Sequence, residues 1–170
     1  GDQMLFGVRT GNGHFRTAMS ATNTGTAQIS DNVVVDLAAF QTHDYRIVFS
    51  GPNTYDVIDD TAGANVLTAQ PYTAGNPVAL DGRGFTVFGG PTAGDTFAVT
   101  PSANQSMFET LDNIASALER GYGNPAGAAR FGFDMDRGIE NIDQAIEKIA
   151  SVRAVTGARL NTIEAQRHLH

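Results

Sequence analysis

The sequence predicts an α+β fold: a β-rich antiparallel domain over residues 1–104, followed over 105–170 by an α-helical hairpin with one long coiled-coil-like helix. Three observations carry this. Before residue 104 lie most of the glycines and nearly all of the prolines, in turn clusters that separate short alternating apolar runs. From about residue 102 the apolar period changes from two to steps of three and four. In the second helical segment that rhythm is kept by isoleucine over many turns, as in a coiled-coil seam.

Within the β half, the best hairpin joins DYRIVFS to TYDVID through the turn Gly51-Pro52-Asn53. Tyr45, Ile47 and Phe49 share one face there, as do Tyr55, Val57 and Asp59, with Asp56 and Ile58 opposite. Asn12-Gly13 between FGVRT and HFRTAM is a two-residue hairpin signal. Further strands are expected at 65–69, 77–80, 84–89 and 95–100, divided by Asp-Gly, Gly-Gly and Ala-Gly turns. NTGTAQIS reads as a turn and short strand, while NVVVDLAAF fits either a buried strand or a short helix.

In the helical half, Met107, Leu111, Ile114 and Leu118 form the apolar stripe of a helix of about four turns, with Ser106 and Glu109 as a capping box and Gly121 as its stop. Asn124 caps the second helix and Pro125 occupies its first position. That helix runs to beyond Arg167, about 60 Å at 1.5 Å per residue. Its seam is Ile139, Ile142, Ile146 and Ile149, continued in register by Arg153, Thr156, Leu160 and Ile163. Isoleucine at both seam positions favours bundles of more than two helices. A core facing the 106–120 helix is the alternative, but that helix reaches only about 22 Å along the stripe. Most of the seam therefore awaits partner helices.

Within SVRAVTGARLN, residues 151–161, Val152 keeps the edge of the stripe apolar while the Arg153 stem packs beside it and its guanidinium reaches water. Thr156 and Gly157 weaken the helix, glycine by about 1 kcal/mol relative to alanine. They also let a neighbouring backbone approach closely. The expected helical assembly interface is thus Ile139, Ile142, Ile146, Ile149, Val152, Arg153, Thr156, Gly157, Leu160 and Ile163.

A net charge of −7 and a pI near 4.8 argue against nucleic acid as a partner, since phosphate binding needs clustered Lys and Arg. The chain has no cysteine, which removes disulfides, thiolate metal sites and a cysteine nucleophile. Its longest apolar run falls short of the roughly 18 residues of a membrane span, so no membrane partner is expected. Neither end reads as a natural terminus: GDQMLFGVRTGNG lacks the pattern of a secretory signal, and AQRHLH lacks a helix stop, so truncation is the expectation.

Candidate chemistry is weak throughout. GNGHFR lacks the third glycine, acidic residue and strand-to-helix setting of a dinucleotide loop, which makes His14 a strand side chain. The histidines at 14, 43, 168 and 170 offer no shared face for a metal, and His168 and His170 are two residues apart on a helix. Asp134 and Asp136 in DMDRGIENIDQAIE begin like a calcium loop, but the glycine falls one place early and the segment keeps the isoleucine period. Asp59 and Asp60 fit turn chemistry rather than a glycosidase pair. No catalytic motif is present, so the reading is of a non-enzyme with no cofactor and no metal.

The order TGNGHFRTA, a β-rich middle, GDTFAVTPSANQSMFETLDNIASALE and IENIDQAIEKIASVRAVTGARLNTIE resembles the third hook-associated protein family of bacterial flagella, FlgL. The resemblance spans the chain and is most specific in residues 100–118 and in SVRAVTGARLN. It implies a structural subunit of the hook-filament junction, exported through the flagellar type III apparatus to an extracellular position. It also implies a ring between the first hook-associated protein and flagellin, with neighbouring copies, those two proteins and an export chaperone as partners. By the same resemblance residues 1–104 form the outward domain and 105–170 the returning helical part, with the family's terminal helices lying outside this chain. Flagellin shares SVRAVTGARLN and is the nearest alternative. A carbohydrate- or surface-binding β module on a helical stalk is a second one.

Overall fold

The computed structural model describes residues 7–120 and 122–168. Strands β1 (Gly7–Arg9), β2 (Phe15–Met19), β3 (Gln28–Val34), β4 (Tyr45–Gly51), β5 (Thr54–Asp59), β6 (Ala64–Pro71), β7 (Pro77–Leu80), β8 (Arg83–Phe88), β9 (Thr96–Pro101) and β10 (Asn104–Ser106) precede helices α1 (Met107–Arg120) and α2 (Pro125–His168). This is the mixed, antiparallel α+β architecture that the change of period indicates.

A five-stranded sheet in the order β2-β9-β4-β5-β6 faces a three-stranded sheet in the order β3-β8-β7. Both contribute to one apolar core: Phe15, Tyr45, Ile47, Phe49, Val57, Phe97 and Val99 from the larger sheet, and Ile29, Leu80, Phe85 and Val87 from the smaller. The expected β4–β5 hairpin forms, with Tyr45 opposite Asp59, Ile47 opposite Val57 and Phe49 opposite Tyr55. Alternation places Tyr45, Ile47, Phe49, Tyr55, Val57 and Asp59 inward. Asp59 is tolerated there because its Oδ1 accepts the Thr61 and Ala62 N–H groups and its Oδ2 meets His43 Nδ1 at 2.7 Å. NVVVDLAAF forms a strand as far as Val34 and continues without regular structure, and it is not the buried strand expected, since Val33 and Val35 are each 57% exposed.

Asn12-Gly13 does not make a hairpin. β1 pairs with β10 and β2 with β9, so both strands run antiparallel to the continuous 96–106 segment rather than to each other. Thr10 N–H reaches Ala103 O and Ser102 N–H reaches His14 O, so residues 11–13 loop out of a single long ladder. The local signal is genuine, since Gly11 and Gly13 have positive φ and Asn12 Oδ1 accepts from the His14 and Phe15 N–H groups. What it builds is an excursion of three residues, because β9 and β10 offer a longer partner than β1 and β2 offer each other. His14 accordingly sits at the end of that excursion, just before β2, and not within a strand.

Two buried charges hold the irregular segments. Asp95, 1% exposed, accepts at Oδ1 from Thr24 N–H, Gly25 N–H and Thr92 Oγ1, and at Oδ2 from Gly25 and Thr92 N–H. Gly25 must be glycine, since a Cβ there would stand 2.3 Å from Asp95 Oδ2. Arg83, with no exposed surface, donates from Nη2 to Gln41 O and His43 O and lies 4.5 Å from the Phe40 ring centroid and 4.9 Å from that of Tyr45. It fixes the 35–43 segment against the smaller sheet.

Burial pushes the Asp95 carboxyl up, but the hydrogen bonds from Thr92, Thr24 and Gly25 outweigh it and hold the pKa below the usual value. A carboxylate with a depressed folded pKa stabilises fully above its unfolded value, about pH 4, and loses that contribution as the pH falls through the folded value. Asp95→Ala should lower unfolding stability by on the order of 3 kcal/mol at pH 7, because several buried N–H groups lose their acceptor. Urea unfolding between pH 7 and pH 2.5 should show a smaller acid loss for Asp95→Asn than for the parent. Equal acid loss in both would contradict this account.

Candidate assembly surface

α2 begins where Asn124 Oδ1 accepts the Gly127 N–H at 2.7 Å, with Pro125 at the first helical position. Its first half docks on the β domain. Phe133 joins the apolar core, Arg130 donates to the carbonyls of Ser20 and Ala21, and Arg137 bonds Thr17 Oγ1 at 2.9 Å and Glu140 at 2.8 Å. The docked face is therefore Ala129, Phe133, Gly138, Asn141 and Ala145.

The isoleucine row lies one residue further along the chain, and one residue is about 100° of helix rotation. Docking consequently turns the seam away from the protein's own body. Ile139, Ile146, Leu160 and Ile163 are 53–59% exposed, and Ile149 is also exposed, while Ile142 and Val152 are partly covered. Arg153 and Thr156 are exposed, the latter bonding Val152 O one turn back. A Cβ on Gly157 would find nothing within 4 Å. The ten seam residues thus share a side of one helix, and α1 reaches none of those beyond its own length. Around them the solvated charges are unevenly spread: Asp136, Asp143 and Glu147 come first, and Lys148, Arg153, Arg159 and Arg167 later, with Glu164 among them.

α1 packs on α2 through a face that keeps Ile114 of the expected stripe but leaves out Leu111 and Leu118. Thr110 and Ala117 are buried and Ile114 partly so, whereas Leu111 and Leu118 remain 49% and 58% exposed. The contact that decides this is Gly138: a Cβ there would lie 2.5 Å from Ile114 Cγ1. Small residues on both helices let the axes approach, so the apolar residues flanking them stay outside. Thr110 and Ala117 are one heptad apart, and the small-residue spacing was the legible signal for them. An ion pair, Arg120 to Asp134 at 2.7 Å, closes the far end. The Ser106 hydroxyl caps α1 at Phe108 N–H, 3.3 Å away, and Gly121 lies outside the described residues.

Chemistry of other kinds finds little footing. A cleft of about 550 Å³ between α1, α2 and β2 carries Arg16, Arg120, Arg137 and Asp134, and the last three are engaged in the ion pairs just described. The acidic run 134–147 is helical, and among the described residues no group of three His, Asp or Glu side chains could hold a metal. Likewise, no described helix is long and apolar enough to cross a membrane.

Residues 18–101 match the family model for the D2-like domain of flagellar hook-associated protein 1. Over 98% of this chain the fold superposes on the flagellar junction protein FlgL of Legionella pneumophila with a TM-score of 0.89 at 31% identity. In fold and sequence the chain is similar to the FlgL hook-associated proteins. FlgL of Xanthomonas campestris matches over 99% of the chain with a TM-score of 0.87 at 27% identity. No curated protein sequence matches. The chain spans 55% of the length of each of these two FlgL structures, and it places the β-rich and helical parts of the FlgL fold as they do.

Two helix glycines should behave oppositely. Gly138→Val should part α1 from α2 and destabilise the chain by about 1–3 kcal/mol through overpacking. Gly157→Ala meets no atom and should raise helix stability by about 1 kcal/mol. Thermal melts followed at 222 nm would measure both, and a stabilised Gly138→Val would refute the close approach.

Proposed function

We propose that this chain is the core of a structural subunit of the bacterial flagellar hook-filament junction, joining the hook side to the flagellin filament without catalysis. The observation that carries the reading is the likeness in fold and sequence to FlgL over nearly the whole chain. The exposed seam agrees with it. A row of isoleucines on a helix of 44 residues leaves apolar surface that a monomer rarely shows.

In this reading Ile139, Ile142, Ile146, Ile149, Val152, Leu160 and Ile163 pack on helices of the same or neighbouring subunits, as in a multi-helix coiled coil. Thr156 and Gly157 are the point of closest backbone approach, and Arg153 sits at the margin where its charge stays wet. The uneven charge along α2 restricts register, since a slipped partner would place like charges together. Residues 1–104 face outward and 105–170 belong to the helical tube. Partners are further copies, the first hook-associated protein and flagellin, reached after export through the flagellar type III apparatus with an export chaperone. The location is extracellular.

The test places Ile146→Asp with Ile149→Asp, and separately Gly157→Leu, in the full-length protein. Each variant should be exported and retain the β domain's near-ultraviolet circular dichroism. Filaments per cell should fall at least tenfold, with flagellin shed into the medium. Normal filament numbers for both variants would sink the assembly role.

A further inference from the structure

The sequence holds a single Asn-Gly pair, Asn12-Gly13. It stands in the excursion that leaves the ladder after Thr10 and rejoins it at His14, held at its two ends by Thr10 N–H to Ala103 O at 3.0 Å and Ser102 N–H to His14 O at 2.9 Å.

The half-buried Asn12 side chain combines two features. Its Oδ1 accepts the His14 and Phe15 N–H groups, each at 3.0 Å, which fixes the orientation of the amide. The bond to His14 closes a turn that contains Gly13 N, so the side chain is curled over the Asn12–Gly13 peptide. Its Nδ2 is shut off from solvent and bonds to nothing, although buried donors are ordinarily satisfied. Beside it, Gly13 is unencumbered: a Cβ built there meets no atom within 4 Å, and its N–H makes only a long bond, 3.4 Å to Thr10 O.

We propose that Asn12 is a self-modification site, where the Gly13 backbone nitrogen attacks the side-chain amide carbon and the residue is converted to aspartate or isoaspartate. Gly13 N gives its proton to solvent hydroxide and forms a bond to Asn12 Cγ. The bond from Cγ to Nδ2 breaks, and Nδ2 takes a proton from water and leaves as ammonia. Water then adds to one of the two carbonyl carbons of the five-membered imide and reopens it, so the only co-reactant is water.

Each feature of the site serves a step. The His14 and Phe15 N–H groups point at the oxygen on which negative charge develops as Cγ becomes tetrahedral, as the donors of an oxyanion hole do. The leaving nitrogen is anchored by nothing, and its departure removes a buried donor that has no partner. Glycine leaves the attacking nitrogen open and adopts the φ of 84° without strain. An aspartate product keeps both N–H bonds with a charged acceptor. An isoaspartate lengthens the backbone by one carbon, which an excursion outside the ladder takes up between Thr10 and His14.

The experiment holds the full chain at pH 8 and 37 °C, either folded in buffer or unfolded in guanidinium chloride, and samples both over several weeks. Trypsin cuts after Arg9 and Arg16, so mass spectrometry reads the 10–16 peptide, heavier by the difference between OH and NH2, and chromatography separates aspartate from isoaspartate. The folded chain should convert at a rate within tenfold of the unfolded one. Gly13→Ala should be slower by about tenfold or more in the folded chain, because a displaced amide loses its attack geometry. A folded rate more than tenfold below the unfolded one, or a Gly13→Ala rate within threefold of the parent, would overturn the proposal. The comparison of folded with unfolded parent decides it even where the variant fails to fold. None of these outcomes bears on the assembly reading, which concerns α2.

Discussion

The antiparallel ladder that sets β1 and β2 against β9 and β10 brings the chain's entry into the β domain beside its exit. Gly7 lies opposite Ser106, and α1 begins at the next residue, Met107. Because of that pairing α1 leaves the two-sheet body beside the point where β1 enters it, and α2 then runs back against the body with Phe133 in the core. A domain whose two ends emerge together can be inserted into a helical protein without disturbing the helices around it. The three-residue excursion at 11–13 is absorbed by the ladder, which shows that the pairing, and not the turn, sets the register.

Docking at Phe133, Gly138 and Asn141 then determines what α2 shows to its surroundings. A helix cannot bury two sides 100° apart against one small partner, so contact with the β domain and α1 leaves the isoleucine row outside. The beginning of α2 is anchored by arginines that reach β-domain carbonyls and hydroxyls, while among the described residues none beyond Ile149 is buried. The same helix is therefore a structural member of the fold at one end and a free surface at the other. The β domain, by contrast, is tightened by Asp95 and Arg83, charges that would be costly to bury without the backbone groups surrounding them.

Periodicity made much of this readable. The β4–β5 hairpin, the strands at 77–80 and 84–88, both helix starts and the exposed isoleucine row follow from spacing and turn chemistry, which act within a few residues. The partner of a strand is another matter. Asn12-Gly13 carries the turn signal of a hairpin, but pairing is decided by which strands lie alongside, and β9 and β10 come about ninety residues later. The inward face of α1 was misread for a related reason: Leu111 and Leu118 are more apolar than Thr110 and Ala117, and only the opposing Gly138 makes the smaller face the better fit.

The two buried charges were not legible at all, because an Asp in a turn and an Arg at a strand start look the same whether solvated or enclosed. By itself the sequence determined where strands and helices form, that α2 carries an apolar seam, and that no familiar catalytic motif is present. These are properties of period and residue type. Only the tertiary structure decided which strands pair and which helix face packs. Those depend on contacts between residues far apart in the chain, where shape and the satisfaction of buried polar groups outweigh local preference.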